Sequence, residues 1–303
     1  MKILLLGKDG MLGCQFEKQL DSVPGVDVFA MGHEDLDITS FRALKKTIDS
    51  LRPDLVINCA AYTNVDESEF KKREAFALNA DAVKSIAQLC KRYEAMLIHF
   101  STDYVFDGRK EPPDGYSEND ISNPLGVYGE SKLIGEQFIQ KKMVRFFIVR
   151  TSWLYGPRPG TDGRLVRKGG NFVDTMCRLG NEVLHGERDE LRVVGDQFGS
   201  PTYTGDLAEA VIKNFVMPGV GLPEFGVYHL CGDGFCNWHE FAVRIFELSE
   251  MKVKAEKIGT SDYRTAAQRP GNSILLNTKL PKMRDWDEAL AEYLGLPVYK
   301  SSI

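Results

Sequence analysis

Tyr128 and Lys132 stand four residues apart in the segment GVYGESKL, and none of the other tyrosines has a lysine at that spacing. On a helix such a pair shares a face, one turn apart. That spacing suits a proton-donating couple, and it equally suits two residues on a solvated surface. The chemistry would be reduction of a carbonyl, whose oxygen must gain a proton as negative charge develops on it. A tyrosine ordinarily titrates near ~10, and lowering it by three units needs about 4 kcal/mol of differential stabilisation. The expectation is a Tyr128 pKa pulled down, with the Lys132 ammonium as one source. A second group of hydroxyls and acids lies upstream in STDYVFDG. Ser101, Thr102 and Asp103 end an apolar run, where α/β folds place ligands. Thr102 would hydrogen-bond the substrate oxygen.

Gly7, Gly10 and Gly13 form a third feature, spaced G-x-x-G-x-x-G directly after KILLLG. Glycines between a strand and a helix allow a pyrophosphate close to the backbone, at the helix N-terminus. The second glycine falls one residue later than in the common G-x-G-x-x-G pattern, so the turn is longer. A tight strand-helix turn without a ligand remains the alternative. If a nicotinamide dinucleotide binds here, its oxidised ring adds positive charge near Tyr128. The end of the second apolar run should choose between NAD and NADP. The sequence there is mixed: His33 could donate to a phosphate, whereas Glu34 and Asp35 would oppose one. Asp37 and Ile38 suit an adenine contact, or an exposed turn.

Apolar runs at 2–7, 26–31, 55–60, 97–101 and 146–151 must position these groups. They are rich in Val, Ile, Leu and Phe, as strands buried on both faces of a parallel sheet are. Helical segments are expected at 11–21, 40–51, 79–93 and 127–142, the second capped by Thr39 or Ser40. This alternation predicts an α/β fold, a Rossmann-type doubly wound parallel sheet with a smaller C-terminal substrate-binding lobe. The cofactor domain is expected over 1–150, with 191–215 returning to it, and the substrate lobe over most of 151–303. Segment 155–172, rich in glycine and basic residues, reads as a long loop. A strand is expected at LRVV (191–194), and helices at 205–214, 237–249 and 284–294.

The net charge of −5 gives no basic footprint for nucleic acid. No apolar run approaches the ~20 residues that span a bilayer, so no membrane partner is expected and the location expected is cytoplasmic. The six cysteines have no C-x-x-C spacing, and the five histidines no H-x-x-x-H pattern. They predict free thiols and no metal site.

The stretches GKDGMLG, INCAAYTNVDESE, STDYVFDG, NPLGVYGESKLIGE, VRTSWLYG, VVGDQFGSPTY and RPGNSILLNTKL extend over residues 2–280. On these the chain resembles the dTDP-4-dehydrorhamnose reductase family of the extended short-chain dehydrogenase/reductase superfamily. The resemblance implies NADPH or NADH as cofactor and reduction of the C4 ketone of a dTDP-4-keto-6-deoxyhexose. It implies Tyr128 as proton donor, Lys132 on the nicotinamide ribose, and Thr102 as third catalytic member. Gly7, Gly10, Met11, Leu12 and Gly13 would hold the pyrophosphate. His33, Asp37, Ile38, Ala60, Ala61, Tyr62 and Ser101 would line the rest of the cofactor site. Thr102, Asp103, Trp153 and Arg269 would contact the sugar nucleotide. Arg269 is well typed for a diphosphate. A surface arginine, and core packing for Trp153, are the plainer alternatives. The resemblance is compatible with a homodimer.

Two departures stand out. Some members bind magnesium through a glutamate two residues after the glycine loop, where this chain has Gln15, so that site is not carried over. The 157–170 loop, with Arg158, Arg164, Arg167 and Lys168, looks longer and more basic than in compact members. It would close over a nucleotide diphosphate or mark another partner. Rival readings are a nucleotide-sugar epimerase and a non-catalytic subunit resembling the regulatory subunit of methionine adenosyltransferase. Thr102-Asp103-Tyr104 lacks the Thr-Asp-Glu run of the dehydratases.

Overall fold

A computed structural model describes residues 1–160, 165–166, 170–217 and 221–296. The first half alternates strands and helices: β1 (Lys2–Leu6), α1 (Gly13–Leu20), β2 (Asp27–Met31), α2 (Phe41–Leu51) and β3 (Leu55–Asn58). Then come α3 (Val65–Ser68), α4 (Lys72–Phe76), a π-turn (Ala77–Asp81), α5 (Ala82–Arg92), β4 (Met96–Thr102), α6 (Val127–Lys142) and β5 (Phe146–Thr151). The second half contributes β6 (Leu154–Tyr155), β7 (Arg158–Pro159), β8 (Leu165–Val166), α7 (Phe172–Leu184), β9 (Leu191–Val194), β10 (Phe198–Gly199), β11 (Thr202–Tyr203) and α8 (Thr204–Val211). After these lie β12 (Gly226–His229), β13 (Cys236–Asn237), α9 (Trp238–Leu248), β14 (Ala255–Ile258) and α10 (Trp286–Tyr293).

The main sheet has the order β12-β5-β4-β3-β1-β2, parallel throughout. Ile3, Leu4, Leu5 and Leu6 are fully buried because the sheet is covered on both faces. One face carries Phe16 and Leu20 of α1 with Leu207 and Val211 of α8. The other carries Leu44 and Ile48 of α2, Ile86 of α5 and Ile139 of α6. The order turns back at β1, which lies between β2 and β3, so the glycine loop leaves the sheet at a topological switch point.

Several boundaries differ from the sequence reading. Ser40 alone caps α2, accepting from Ala43 N at 3.4 Å. Within 191–215, helix α8 packs on the main sheet beside α1. Strand β9 pairs instead with β14, outside the main sheet. The sheet takes its sixth strand from β12, a four-residue run too short to show a period. In the 157–170 loop, β7 and β8 form a short antiparallel pair; Arg164, Arg167 and Lys168 lie outside the described residues. A separate core joins α7, α9, α10 and β9 around Tyr155, Phe241 and Tyr293. No described helix is long and apolar enough to cross a membrane.

Candidate active site

The end of β1 turns at Gly7, whose φ of +82° favours glycine. A Cβ on Gly13 would lie 2.0 Å from the Gly7 carbonyl oxygen, so that turn admits no side chain. A cavity of about 780 Å³ opens beside it. Gly7, Gly10, Met11, Leu12 and Gly13 line one side; His33, Asp37 and Ile38 follow from the end of β2; Ala60, Ala61 and Tyr62 follow from β3. Ser101, Tyr128 and Lys132 close the far wall. Residues from four strand ends and α6 thus meet in one space. Ser101 Oγ and Thr151 Oγ1 are buried without a hydrogen-bond partner among the described residues. Such groups are costly unless a ligand satisfies them. Glycine cradle, helix N-terminus and orphaned hydroxyls together fit a dinucleotide.

Two of these residues also have local work. The Asp37 carboxylate accepts from Thr39 N and Thr39 Oγ1 at 2.9 and 2.6 Å. Tyr62 donates its hydroxyl to Glu67 at 2.7 Å. Past the end of β2, Asp35 pairs with Lys8 at 2.7 Å, so the acid expected to oppose a phosphate already faces a cation.

Helix α6 has no side-chain cap of its own; Glu69, far away in sequence, accepts from Val127 N at 2.8 Å. Its buried face carries Ser131, Lys132 and Glu136 among small residues, which is why an apolar period is hard to read there. Lys132 Nζ donates to the Phe100 carbonyl at 2.6 Å. Burial lowers its pKa to about 8, against the opposing pull of Glu136. The expectation of a depressed Tyr128 pKa is corrected. Burial pushes that phenol up to about 12, with the Thr102 hydroxyl only partly offsetting it. Desolvation, with the Asp103 carboxylate acting in the same sense, outweighs the Thr102 hydroxyl, and Tyr128 is held as the neutral acid.

Thr102, Asp103, Trp153 and Arg269 do not line the cavity described. Thr102 Oγ1 donates to Asp103 Oδ1 at 3.0 Å and accepts from Tyr104 N at 3.2 Å. Asp103 is buried, its pKa raised to about 6 by desolvation against the pull of the Ser273 and Thr102 hydroxyls. The Tyr104 ring meets Tyr128 edge-on at 5.7 Å. Trp153 stacks on Trp238 at 3.4 Å with φ +46°, a strained backbone for a bulky residue. Arg269 grips Asp66 bidentately, at 2.7 and 3.1 Å.

Sequence reasoning missed Asn79. This buried amide lies in the π-turn, where such turns often serve sites. It accepts from Tyr62 N at 2.9 Å and donates to Ser131 Oγ at 3.0 Å, tying the loop after β3 to α6. An amide between Leu78 and Ala80 in a helical stretch is its only signal. Among the described residues no cluster of His, Cys, Asp or Glu could hold a metal ion, and the cysteines are free thiols.

The sequence pattern of the RmlD substrate binding domain family matches residues 1–296. Protein SpsK of Bacillus subtilis, named for spore coat polysaccharide biosynthesis, is 37% identical, over 97% of this chain and 96% of its own. A dTDP-4-dehydrorhamnose reductase of Aggregatibacter actinomycetemcomitans is also 37% identical, over 95% and 97%. The crystal structure of the Bacillus anthracis dTDP-4-dehydrorhamnose reductase, in complex with NADP, superposes with a TM-score of 0.85 at 36% identity, covering 96% of this chain and 98% of that one. With the site's geometry and these near-complete matches, the chain is a member of the dTDP-4-dehydrorhamnose reductase family of NAD(P)H-dependent oxidoreductases.

Proposed function

We propose that this protein reduces the C4 ketone of a dTDP-4-keto-6-deoxyhexose, converting dTDP-4-dehydrorhamnose to dTDP-L-rhamnose. The observation that carries the reading is the shared wall of Ser101, Tyr128 and Lys132 in the cavity that begins at the glycine loop. A reduced nicotinamide, when bound, supplies the hydride to the ketone carbon. Gly7, Gly10, Met11, Leu12 and Gly13 would hold its pyrophosphate, and Lys132 its nicotinamide ribose. Tyr128, kept protonated by burial, gives its proton to the ketone oxygen as charge develops there. Thr102 sits between Tyr128 and Asp103, so its hydroxyl orients the phenol or the substrate oxygen. Asp103, Trp153 and Arg269 are assigned to the sugar nucleotide, with Trp153 fixed by its stack on Trp238.

The family relationship supports the substrate class, because the Aggregatibacter relative carries that activity in its name. Incubating the protein with dTDP-4-dehydrorhamnose and NADPH or NADH tests the proposal. Loss of nicotinamide absorbance with formation of dTDP-L-rhamnose is expected. A reduced product with the other configuration at C4 would correct the sugar, and no oxidation with either cofactor would refute the proposal.

A further inference from the structure

Arg158 stands apart from the other packed arginines. Arg150, Arg244, Arg269 and Arg284 each close on a carboxylate, at 2.7, 2.6, 2.7 and 2.7 Å. Among the described residues Arg158 makes no ion pair, and its buried Nε has no hydrogen-bond partner there. A guanidinium in that condition is costly unless an anion satisfies it. Its side chain lines the same cavity as Gly7, Gly10 and Gly13.

Strand β7 holds it there. The Pro157 carbonyl lies 3.5 Å from Cys14 Sγ, fastening the start of β7 to the first turn of α1. On its other side the guanidinium packs on Gly170, where a Cβ would lie 3.4 Å from Nη2. The N–H groups of Met11 and Leu12, which lead into α1, make no backbone hydrogen bond among the described residues. No acidic side chain occupies the first turn of α1. Two sets of unsatisfied donors, one on the glycine loop and one on β7, therefore border one cavity. A diphosphate has the oxygens to satisfy both, and a guanidinium binds such oxygens in pairs.

We infer that Arg158 binds the diphosphate of the nicotinamide dinucleotide, together with the glycine loop. This rests on the reductase reading. It makes cofactor binding depend on both halves of the chain. The diphosphate of the dTDP-sugar and the 2′-phosphate of NADPH carry the same chemistry, and the test separates them.

Dissociation constants of NADPH, NADH and dTDP are measured on the full-length protein and on Arg158→Gln and Arg158→Lys. The expected result is that Arg158→Gln weakens NADPH and NADH by the same factor, roughly 10- to 100-fold, as loss of a charge-assisted contact does. Arg158→Lys should recover part of this, since it keeps the charge and loses the paired geometry. dTDP binding should not change. A loss confined to NADPH would place Arg158 on the 2′-phosphate, and a loss confined to dTDP would place it on the substrate; either overturns the inference. Unchanged affinity for all three does the same. Failure of the unmodified protein to bind either dinucleotide would instead refute the reductase reading, and this inference with it.

Discussion

Lys132 Nζ donates to the carbonyl oxygen of Phe100 across 2.6 Å, which pins α6 to the end of β4 inside a buried wall. That contact fixes the ammonium while burial draws its pKa down to about 8. A charge held there costs the fold stability.

The first prediction concerns that cost. Unfolded, Lys132 titrates at the ordinary value of 10.5; folded, at about 8. Below pH 8 both states hold the proton and the buried ammonium costs the fold in full, about 3 kcal/mol by linkage. The unfolded chain alone keeps its proton between pH 8 and 10.5, so the penalty fades as pH rises through that window. Lys132→Met should lose activity. Relative to the parent it should gain more stability at pH 7 than at pH 10 by urea unfolding. A gain that grew towards pH 10 would contradict the buried charge.

Asp103 carries a carboxyl that titrates close to neutral pH. Burial raises its carboxyl to about 6, and ionised it accepts the Thr102 hydroxyl. Turnover should fall as pH drops through 6, because the protonated acid no longer orients Thr102. Asp103→Asn should be slower at pH 7.5, and its pH profile should lack that acidic limb. A limb unchanged in the variant would assign the titration to another group.

The Arg269–Asp66 pair separates binding from support. Asp66 is over a third exposed, so the pair itself should couple by less than ~1 kcal/mol in a double-mutant cycle of stability. If Arg269 serves the sugar nucleotide, Arg269→Gln raises KM for the dTDP-sugar several-fold. Asp66→Asn, which keeps the guanidinium, should do much less. Equal effects on KM would reduce Arg269 to a structural partner.

Glu136 and Arg150 form a buried pair at 2.7 Å between α6 and β5. Removing one charge strands the other in a dry interior, at a cost of about 3–5 kcal/mol. Glu136→Gln should lower the thermal midpoint by several degrees and leave Tyr128 and Lys132 in place. Its kcat should fall most near neutral pH, because the lost carboxylate had opposed the burial that lowers the Lys132 pKa.

What the sequence made legible was local. Apolar runs such as KILLLG suit strands covered on both faces, and glycines directly after the first suit a tight turn. Every residue expected to touch the cofactor lines the same cavity. What stayed hidden depends on distant partners. The grip of Arg269 on Asp66 joins positions 203 residues apart. The Tyr128 pKa is set by how completely the folded chain dehydrates the phenol, which no spacing encodes. Strand β12 is too short to declare itself, and α7 follows a basic stretch that masks its start.

The central claim is that Tyr128 delivers the proton. It is tested most directly by kcat/KM for dTDP-4-dehydrorhamnose reduction with NADPH, in the parent and in Tyr128→Phe. Phenylalanine keeps the ring against Tyr104 and removes only the hydroxyl. The expected result is a loss of roughly 100- to 10,000-fold, as for removal of a general acid, with NADPH affinity little changed. Equal kcat/KM in the two proteins would contradict the claim.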